Sequence, residues 1–235
     1  MPVTVLDVRA FKERGTRFAM LTAYDVLTAQ ALDEAGIPVL LVGDTLGIFV
    51  MGHPTTIPVS LDAMVHHSQA VVRGARESLV VGDLPFGSYQ VSVEEGMRSA
   101  IRLLKEGGVG AVKLEGPWFE LAERLTASGI PVMGHLGLTP QSYHQLGGNK
   151  VQARTEAAAE RLTAEARRLE DAGAFALVLE AVPSEAARRV TESLGIPTIG
   201  IGAGPPDAGI SARRAPGSLG RRMLRSRPLR STRRA

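Results

Sequence analysis

The stretch GAVKLEG, residues 110–116, places a cation and a carboxylate near the end of an apolar run. Lys113 and Glu115 are two residues apart, and side chains at positions i and i+2 of a strand project from the same face. Val112 and Leu114 would then project from the opposite face. The pattern predicts that an ammonium and a carboxylate share one space, which is either a solvated strand end with an ion pair or a functional site.

Two further carboxylates follow apolar runs in the same way. Asp44 closes the run PVLLVGD and Asp83 lies in SLVVGDLPF, so with Glu115 they stand at the ends of three consecutive predicted strands. Each of them alone could instead cap the helix that follows. Together they offer the hard oxygen ligands that Mg²⁺ prefers, and a divalent cation would relieve the repulsion between buried carboxylates. We therefore predict that these three residues form a Mg²⁺ site.

An ammonium beside such a metal suits a small anionic substrate, whose carboxylate could pair with Lys113 while its other oxygens bind the metal. A metal that coordinates a carbonyl oxygen acidifies the neighbouring C–H, and a base must then accept the proton. Glu180 ends the apolar run FALVLE and is our candidate for this base, because burial would raise its pKa towards neutrality. The alternative for Glu180 is an ion pair with a nearby arginine.

Histidines offer further candidates with weaker signals. His135, in GHLGLTP, could be a proton shuttle, a substrate hydrogen-bonding residue or a structural residue, and we favour the last two roles. His66 and His67 lie on a predicted helix without the spacing of a metal-binding pair, so we expect them on the helix surface or in packing. His53 lies in the loop after the second predicted strand, where it could help to close the site.

Seven apolar runs alternate with helical patterns and must position these side chains. The runs span residues 18–24, 38–44, 78–86, 110–116, 131–137, 175–182 and 197–204. Continuous apolar strands separated by amphipathic helices are typical of a parallel sheet that is buried on both faces. Because the polar residues concentrate at strand ends, which converge on one mouth in a closed barrel, the pattern favours a (β/α)₈ TIM barrel over a doubly wound sheet. Only seven strands are evident.

Composition sets the class of protein and divides the chain in two. The 235 residues include no cysteine, which excludes disulfides and thiolate metal sites. Nine arginines and one acid follow residue 204, so this segment carries +8 and the rest −5 of the net +3. We therefore assign a barrel domain to 1–204 and an Arg/Pro-rich, irregular or disordered tail to 205–235. We predict a cytoplasmic protein that binds neither membrane nor nucleic acid, since the tail lacks interleaved aromatic residues and a nucleic-acid-binding fold.

Nine segments of the chain, between about residues 10 and 204, resemble the ketopantoate hydroxymethyltransferase family in order and spacing. They are TAYD (22–25), VGDTLG (42–47), GHPTTIPVSLDAMVHH (52–67), DLPFGSY (83–89), VKLEG (112–116), GHLGLTPQS (134–142), GGNKVQAR (147–154), LVLEAVP (177–183) and IGIGAG (199–204). The resemblance implies a barrel of the phosphoenolpyruvate mutase-like superfamily. It also implies transfer of a one-carbon unit from 5,10-methylenetetrahydrofolate to 3-methyl-2-oxobutanoate, giving 2-dehydropantoate and tetrahydrofolate in pantothenate biosynthesis.

The resemblance also implies roles for individual residues. By matching motif positions, Asp44 and Asp83 are similar to Mg²⁺ ligands that also face the substrate, with one Mg²⁺ per subunit and Glu115 joining directly or through water. Thr45 and Lys113 match substrate-binding residues, and Glu180 matches the proton acceptor, after which the enolate attacks the methylene carbon. The family is typically a homodecamer of two pentameric rings. The alternative is a carbon–carbon lyase or mutase of the same superfamily that acts on a 2-oxo acid without folate.

The chain departs from the family after GIGAG. The family continues with an eighth strand of the type apolar-apolar-apolar-His-Asp and further helices, and this pattern does not occur in residues 205–235. An Arg/Pro-rich tail that begins abruptly at an expected strand is what a change of reading frame would produce. The eighth strand is therefore expected to be missing or replaced.

Overall fold

A computed structural model describes residues 2–204 and 210–211 of the 235, and it contains one parallel sheet whose eight strands are paired in chain order. The strands are β1 (Met20–Thr22), β2 (Val39–Val42), β3 (Leu79–Asp83), β4 (Ala111–Glu115), β5 (Val132–Gly137), β6 (Ala176–Glu180), β7 (Thr198–Ile201) and β8 (Ile210–Ser211). The seven predicted strands are confirmed. The sheet curls into a nearly closed barrel, as the TIM-barrel prediction required.

Helices follow most strands and cover the outside of the barrel. They are α1 (Val5–Glu13), α2 (Val26–Glu34), α3 (Leu46–Phe49), α4 (Leu61–Gly74), α5 (Val93–Arg102), α6 (Phe119–Ala127), α7 (Tyr143–Leu146), α8 (Glu156–Asp171) and α9 (Ser184–Ser193). A π-helical turn, Leu103–Gly107, extends α5, and a 3₁₀ turn, Pro140–Ser142, precedes α7. Over the described ranges, none of these helices combines the length and hydropathy needed to cross a bilayer.

Hydroxyl and carboxylate side chains fix where the longer helices begin. In five cases the residue before the helix accepts a hydrogen bond from a backbone N–H of the first turn, which satisfies one of the unpaired donors there. These capping residues are Thr4, Asp25, Ser60, Ser92 and Thr155. The starts of these five helices are therefore encoded locally.

Successive residues of each strand belong to two different cores. In β4, Ala111 packs in a cluster inside the barrel, whereas Val112 and Leu114 pack in a larger cluster with the surrounding helices. This alternation follows from the two-residue period of a strand. Lys113 and Glu115 lie two and four residues after Ala111, so they project from the same face of β4. The polar residues of β4 therefore face the barrel interior at the carboxyl end of the strand.

The amino ends of the strands are closed by α1. Val8 of this helix and Phe18, just before β1, are buried in the interior cluster. The Val3 N–H donates to the carbonyl of Glu77, immediately before β3, at 2.7 Å. An apolar plug therefore fills this end, and the polar mouth lies at the opposite end, where βα-barrel sites are found.

The place of the eighth strand is taken by two residues. β8 pairs parallel to β7 through Ile199 with Ile210 and Gly200 with Ser211. The prediction that the family's eighth strand is missing or replaced is met by this short substitute. Two residues can pair without an apolar run because only their backbone groups are needed. Residues 205–209 and 212–235 of the predicted tail lie outside the described residues.

Candidate active site

The mouth of the barrel gathers six of the predicted site residues into one buried cluster. Each is 5% exposed or less: Asp44, Asp83, Lys113, Glu115, His135 and Glu180. Strand register makes some of them neighbours, since Asp83 is aligned with Lys113 and Glu115 with His135. One correction concerns Asp44, which lies two residues beyond the end of β2 and does not close the strand.

Lys113 is the cation of the cluster. Its Nζ lies 3.0 Å from Asp83 Oδ1, 3.9 Å from Glu115 Oε1 and 3.3 Å from His135 Nδ1. Burial opposes the charged ammonium, but the charges of Asp83, Glu115 and Asp44 outweigh it and raise the pKa of Lys113. The predicted sharing of one face by Lys113 and Glu115 is confirmed, and the solvated strand end is excluded because both side chains are buried.

The three carboxylates differ in their electrostatic balance. Burial, followed by the charges of Glu115 and Asp83, raises the pKa of Asp44 well above its usual value. Burial also raises the pKa of Asp83, although Lys113 acts against this effect. For Glu115, burial is outweighed by the hydrogen bond and charge of His135 and by Lys113, so its pKa is lowered. Negative charge is thus held at Glu115 and is least favourable at Asp44.

His135 links Glu180 to the other carboxylates. Its Nε2 lies 3.5 Å from Glu180 Oε2, and its Nδ1 lies 3.4 Å from Glu115 Oε1. Burial and Lys113 favour the neutral ring, but the two glutamates outweigh them and raise the pKa of His135. His135 therefore lies between two glutamates at the mouth of the barrel.

Thr45 borders the cluster on the side of α3. Its Oγ1 lies 2.8 Å from the Tyr24 hydroxyl, and its side chain is partly exposed. A methyl group built on Gly43 would lie 2.8 Å from Thr45 Oγ1 and 3.5 Å from Asp83 Oδ2. The glycine therefore leaves open a small cradle between a hydroxyl and a carboxylate oxygen, which a Cβ would fill.

Gln141 is a site residue that the sequence reasoning missed. Its Nε2 donates to Asp44 Oδ2 and to the Leu84 carbonyl, both at 2.9 Å, and its backbone N–H donates to Glu115 Oε2 at 2.9 Å. The Tyr89 hydroxyl donates to Gln141 Oε1 at 2.6 Å, which fixes the amide orientation. Gln141 follows the predicted strand 131–137 within the segment GHLGLTPQS, and this position was the one signal that could have revealed it.

The remaining histidines lie away from the carboxylates. His67 Nδ1 lies 2.7 Å from the Tyr24 carbonyl, and its ring meets that of His66 edge to face at 5.3 Å. This arrangement is packing on α4, as predicted. His53 follows α3, and its backbone N–H donates to the Gly47 carbonyl at 2.8 Å.

The donor set fits a hard divalent cation held by few protein ligands. Across 2–204 and 210–211, no three His, Asp or Glu side chains converge closely enough to enclose a metal by themselves. Mg²⁺ usually takes only one or two carboxylates and completes its shell with water and substrate oxygens. Asp44 and Asp83 are adjacent, with the Asp44 N–H donating to Asp83 Oδ2 at 3.1 Å. These two carboxylates, beside the open cradle at Gly43, meet that requirement.

Comparison with known proteins places the chain in a family. Residues 2–210 match the family model described as ketopantoate hydroxymethyltransferase. A 3-methyl-2-oxobutanoate hydroxymethyltransferase of Thermobifida fusca is 58% identical over 205 residues, which cover 86% of this chain and 73% of that protein. The protein of the same name from Syntrophus aciditrophicus is 55% identical, with 86% and 75% covered.

Solved structures resemble the chain in fold. A 2,3-dimethylmalate lyase of the PEP mutase/isocitrate lyase superfamily matches with a TM-score of 0.66 and 20% identity, covering 95% of this chain and 85% of that one. A phosphonopyruvate hydrolase in complex with oxalate and Mg²⁺ matches with a TM-score of 0.68 and 14% identity, covering 95% and 83%. The chain thus shares the barrel fold of these structures, and the family model and the far higher identity to the transferases decide its family. The chain belongs to the ketopantoate hydroxymethyltransferase family.

Proposed function

We propose that the mouth of this barrel binds Mg²⁺ and 3-methyl-2-oxobutanoate and transfers to it the one-carbon unit of 5,10-methylenetetrahydrofolate. Carbon C3 of the oxo acid gains a bond to the one-carbon unit, the folate nitrogens lose it, and water supplies the new hydroxyl group. The products are 2-dehydropantoate and tetrahydrofolate. The observation that carries the proposal is a buried cluster at the mouth, formed by Asp44, Asp83, Lys113 and Glu115. His135 lies between this cluster and Glu180.

The substrate anion would be held by Lys113 and Thr45. Lys113 is a buried ammonium whose charge the surrounding carboxylates stabilise, and Thr45 offers a hydroxyl on the far side of the Gly43 cradle. A small carboxylate in this space gains a charge-assisted hydrogen bond in a site largely protected from water. These contacts support an anionic substrate of a few carbon atoms.

Asp44 and Asp83 would hold the Mg²⁺, and Glu115 would contact it through water. Glu115 suits the outer position because its Oε2 already accepts from Gln141 and its Oε1 faces His135. When bound, Mg²⁺ supplies Lewis acidity that polarises the 2-oxo group and makes the C3 proton more acidic. The same charge offsets the mutual repulsion of the buried carboxylates.

Glu180 would take the C3 proton. It is buried at the end of β6 and lies on the opposite side of His135 from Lys113. His135 Nε2 lies 3.5 Å from Glu180 Oε2, so this ring could exchange a proton with the carboxylate. This separation of the base from the anion-binding lysine is what proton abstraction at the carbon next to a carbonyl requires.

The test is exchange of the substrate's C3 proton with deuterium in D₂O, followed by NMR in the presence of Mg²⁺ and without folate. We expect Glu180→Gln to abolish exchange and to leave substrate and metal binding close to wild type. Glu165→Gln, on α8 outside the mouth, is the matched control and should exchange normally. Unchanged exchange in Glu180→Gln would remove this residue as the base.

The same preparation distinguishes the superfamily alternative. A hydroxymethyltransferase forms 2-dehydropantoate only when methylenetetrahydrofolate is supplied, whereas a carbon–carbon lyase or mutase consumes its oxo acid without folate. The structural neighbours support the fold they share with this chain and do not favour lyase chemistry. We therefore expect product formation to depend strictly on methylenetetrahydrofolate.

We also propose that residues 1–204 form the catalytic domain, that the tail 205–235 lies outside it, and that the protein is a cytoplasmic homodecamer. The site residues supporting the first part all lie between 44 and 180. Size-exclusion chromatography with light scattering tests the assembly. Activity of a chain ending at residue 204, compared with the full chain, tests whether 205–235 lies outside the catalytic domain.

A further inference from the structure

Tyr24 lies directly behind Thr45, the residue to which the proposed function assigns a contact with the substrate carboxylate. It belongs to the segment TAYD, and the proposed function gives it no role. The Tyr24 hydroxyl lies 2.8 Å from Thr45 Oγ1, and only 9% of Tyr24 is exposed. A buried phenol whose polar end meets a hydroxyl of the site can act on that site without touching the ligand.

Three neighbouring elements fix the backbone around Tyr24. The Ala23 N–H donates to the Leu41 carbonyl at 3.0 Å, which continues the pairing of β1 with β2. Asp25, on the other side, caps the first turn of α2. His67 of α4 has its Nδ1 2.7 Å from the Tyr24 carbonyl, and because a carbonyl only accepts, this nitrogen donates. The direction in which Tyr24 extends its hydroxyl is therefore set by β2, α2 and α4 together.

The Thr45 hydroxyl does not perform the task that its position in the fold would usually give it. Thr45 is the residue before α3, where a threonine side chain commonly accepts a hydrogen bond from the first helical turn. Its backbone is helical, with φ −57° and ψ −11°, and among the described residues its side chain makes no such capping bond. The hydroxyl instead faces Tyr24 on one side and the cradle at Gly43 on the other.

The direction of the bond between Tyr24 and Thr45 decides what Thr45 can offer a ligand. A hydroxyl has one hydrogen to donate, whereas its oxygen can accept two hydrogen bonds. A phenol gives up its hydrogen more readily than an aliphatic alcohol, so Tyr24 is the stronger donor of the pair. When Tyr24 donates, the hydrogen of Thr45 is left for the cradle, and the bond that a hydroxyl accepts strengthens the bond that it donates. Thr45 is then a donor directed towards an anionic oxygen.

We infer that Tyr24 is a positioning residue for substrate binding, which donates to Thr45 and thereby turns the Thr45 hydrogen towards the substrate carboxylate. This inference rests on the proposed function, because it requires that Thr45 contact this carboxylate. Tyr24 touches no reacting atom in this arrangement. Loss of its hydroxyl should therefore weaken binding of the oxo acid and leave the removal of the C3 proton unchanged once the site is saturated.

Calorimetric titration of the Mg²⁺-loaded full chain with 3-methyl-2-oxobutanoate tests the role of Tyr24. Tyr24→Phe removes only the hydroxyl and keeps the buried ring, and we expect it to weaken binding about three- to tenfold, as the loss of one hydrogen bond would. The maximal rate of C3 proton exchange in D₂O should stay at the wild-type value. Tyr143→Phe is the matched control, because this tyrosine lies on α7 and is 36% exposed. Wild-type affinity in Tyr24→Phe, a lowered maximal rate, or an equal loss in Tyr143→Phe would each overturn the inference.

A double-substitution cycle distinguishes this role from a purely structural one. In a Thr45→Val background there is no hydroxyl to orient, so adding Tyr24→Phe should not weaken oxo-acid binding further. In a Thr45→Ser background, which keeps the hydroxyl, Tyr24→Phe should have its full effect. Equal losses in both backgrounds would show that Tyr24 acts through packing and would overturn the inference. If the chain shows the expected pattern of binding but forms no 2-dehydropantoate, the inference stands and the proposed transfer reaction fails.

Discussion

Gln141→Met removes the amide that joins Asp44 to the rest of the mouth while keeping a side chain of similar length. In the native chain the amide donates to Asp44 Oδ2 and to the Leu84 carbonyl, and it accepts from Tyr89. The thioether of methionine cannot donate to either oxygen. The backbone N–H bond from residue 141 to Glu115 is untouched, so Glu115 keeps this contact in the variant.

The magnitude follows from the bonds that are lost. A hydrogen bond to a charged group contributes about 1.5–3 kcal/mol and a bond between neutral groups about 1 kcal/mol. Loss of one bond of the first kind and two of the second should therefore lower the free energy of unfolding by about 3.5–5 kcal/mol. Removal of a group that orients a metal ligand typically weakens metal binding about 10- to 100-fold. This range corresponds to about 1.4–2.8 kcal/mol of binding free energy.

The assay is titration of the enzyme with Mn²⁺, followed by the electron paramagnetic resonance signal of free Mn²⁺ in the presence of 3-methyl-2-oxobutanoate. Urea unfolding of the same samples without metal gives the change in stability. Gln145→Met is the matched control, because Gln145 lies on α7, four residues away, and has no hydrogen bond to the carboxylates in the described part of the chain. Wild-type Mn²⁺ affinity in Gln141→Met would refute the idea that Gln141 holds Asp44 in its ligand orientation.

Three further predictions address the cradle, the cation and a structural clamp. Gly43→Ala should raise the KM for the oxo acid at least tenfold, because its methyl group would lie 2.8 Å from Thr45 Oγ1 and displace that hydroxyl. An unchanged KM would place the substrate elsewhere. Lys113→Met should raise this KM and lower the free energy of unfolding at pH 8 by about 3–5 kcal/mol, because it leaves buried carboxylates without their cation. The loss of stability should shrink as pH falls, because the raised pKa values of Asp44 and Asp83 let these carboxylates protonate. Asp33 accepts four hydrogen bonds from residues 76–78, and although burial opposes the charged carboxylate, these bonds lower its pKa below 3.8. Asp33→Ala should therefore lower the free energy of unfolding by about 1–2 kcal/mol above pH 3.8. Urea unfolding at a series of pH values should show this difference disappearing as pH falls through the lowered pKa.

Much of the site could be predicted because a barrel strand encodes its own two faces. Lys113 and Glu115 lie two and four residues after Ala111, whose side chain faces the barrel interior. Their spacing therefore predicts that both side chains point to the interior. The same reasoning worked for Asp83 and Glu180, which end β3 and β6. Asp44 was placed at a strand end although β2 stops at Val42, because a short apolar run does not mark its own last residue.

The missed features depend on contacts between distant parts of the chain. Gln141 meets Asp44 across 97 residues, and a glutamine in a turn carries no local sign of such a partner. The cavity beside the carboxylate cluster, lined by Phe86 and Trp118, also depends on tertiary structure, because these two residues follow different strands. β8 could not be predicted for another reason, because a strand of two residues is too short to show a hydrophobic pattern.

The short ladder between β7 and β8 has a consequence for how firmly the reacting groups are held. Asp83, Lys113 and Glu115 belong to the arc from β2 to β6, where four longer ladders fix the register of each neighbour. A change in the sheet at the two-residue ladder between β7 and β8 would first alter how the barrel closes. It would alter the distances between side chains on β3 and β4 only afterwards. The distances on which the proposed chemistry relies are therefore set by the first six strands, and they tolerate variation in how the barrel is completed.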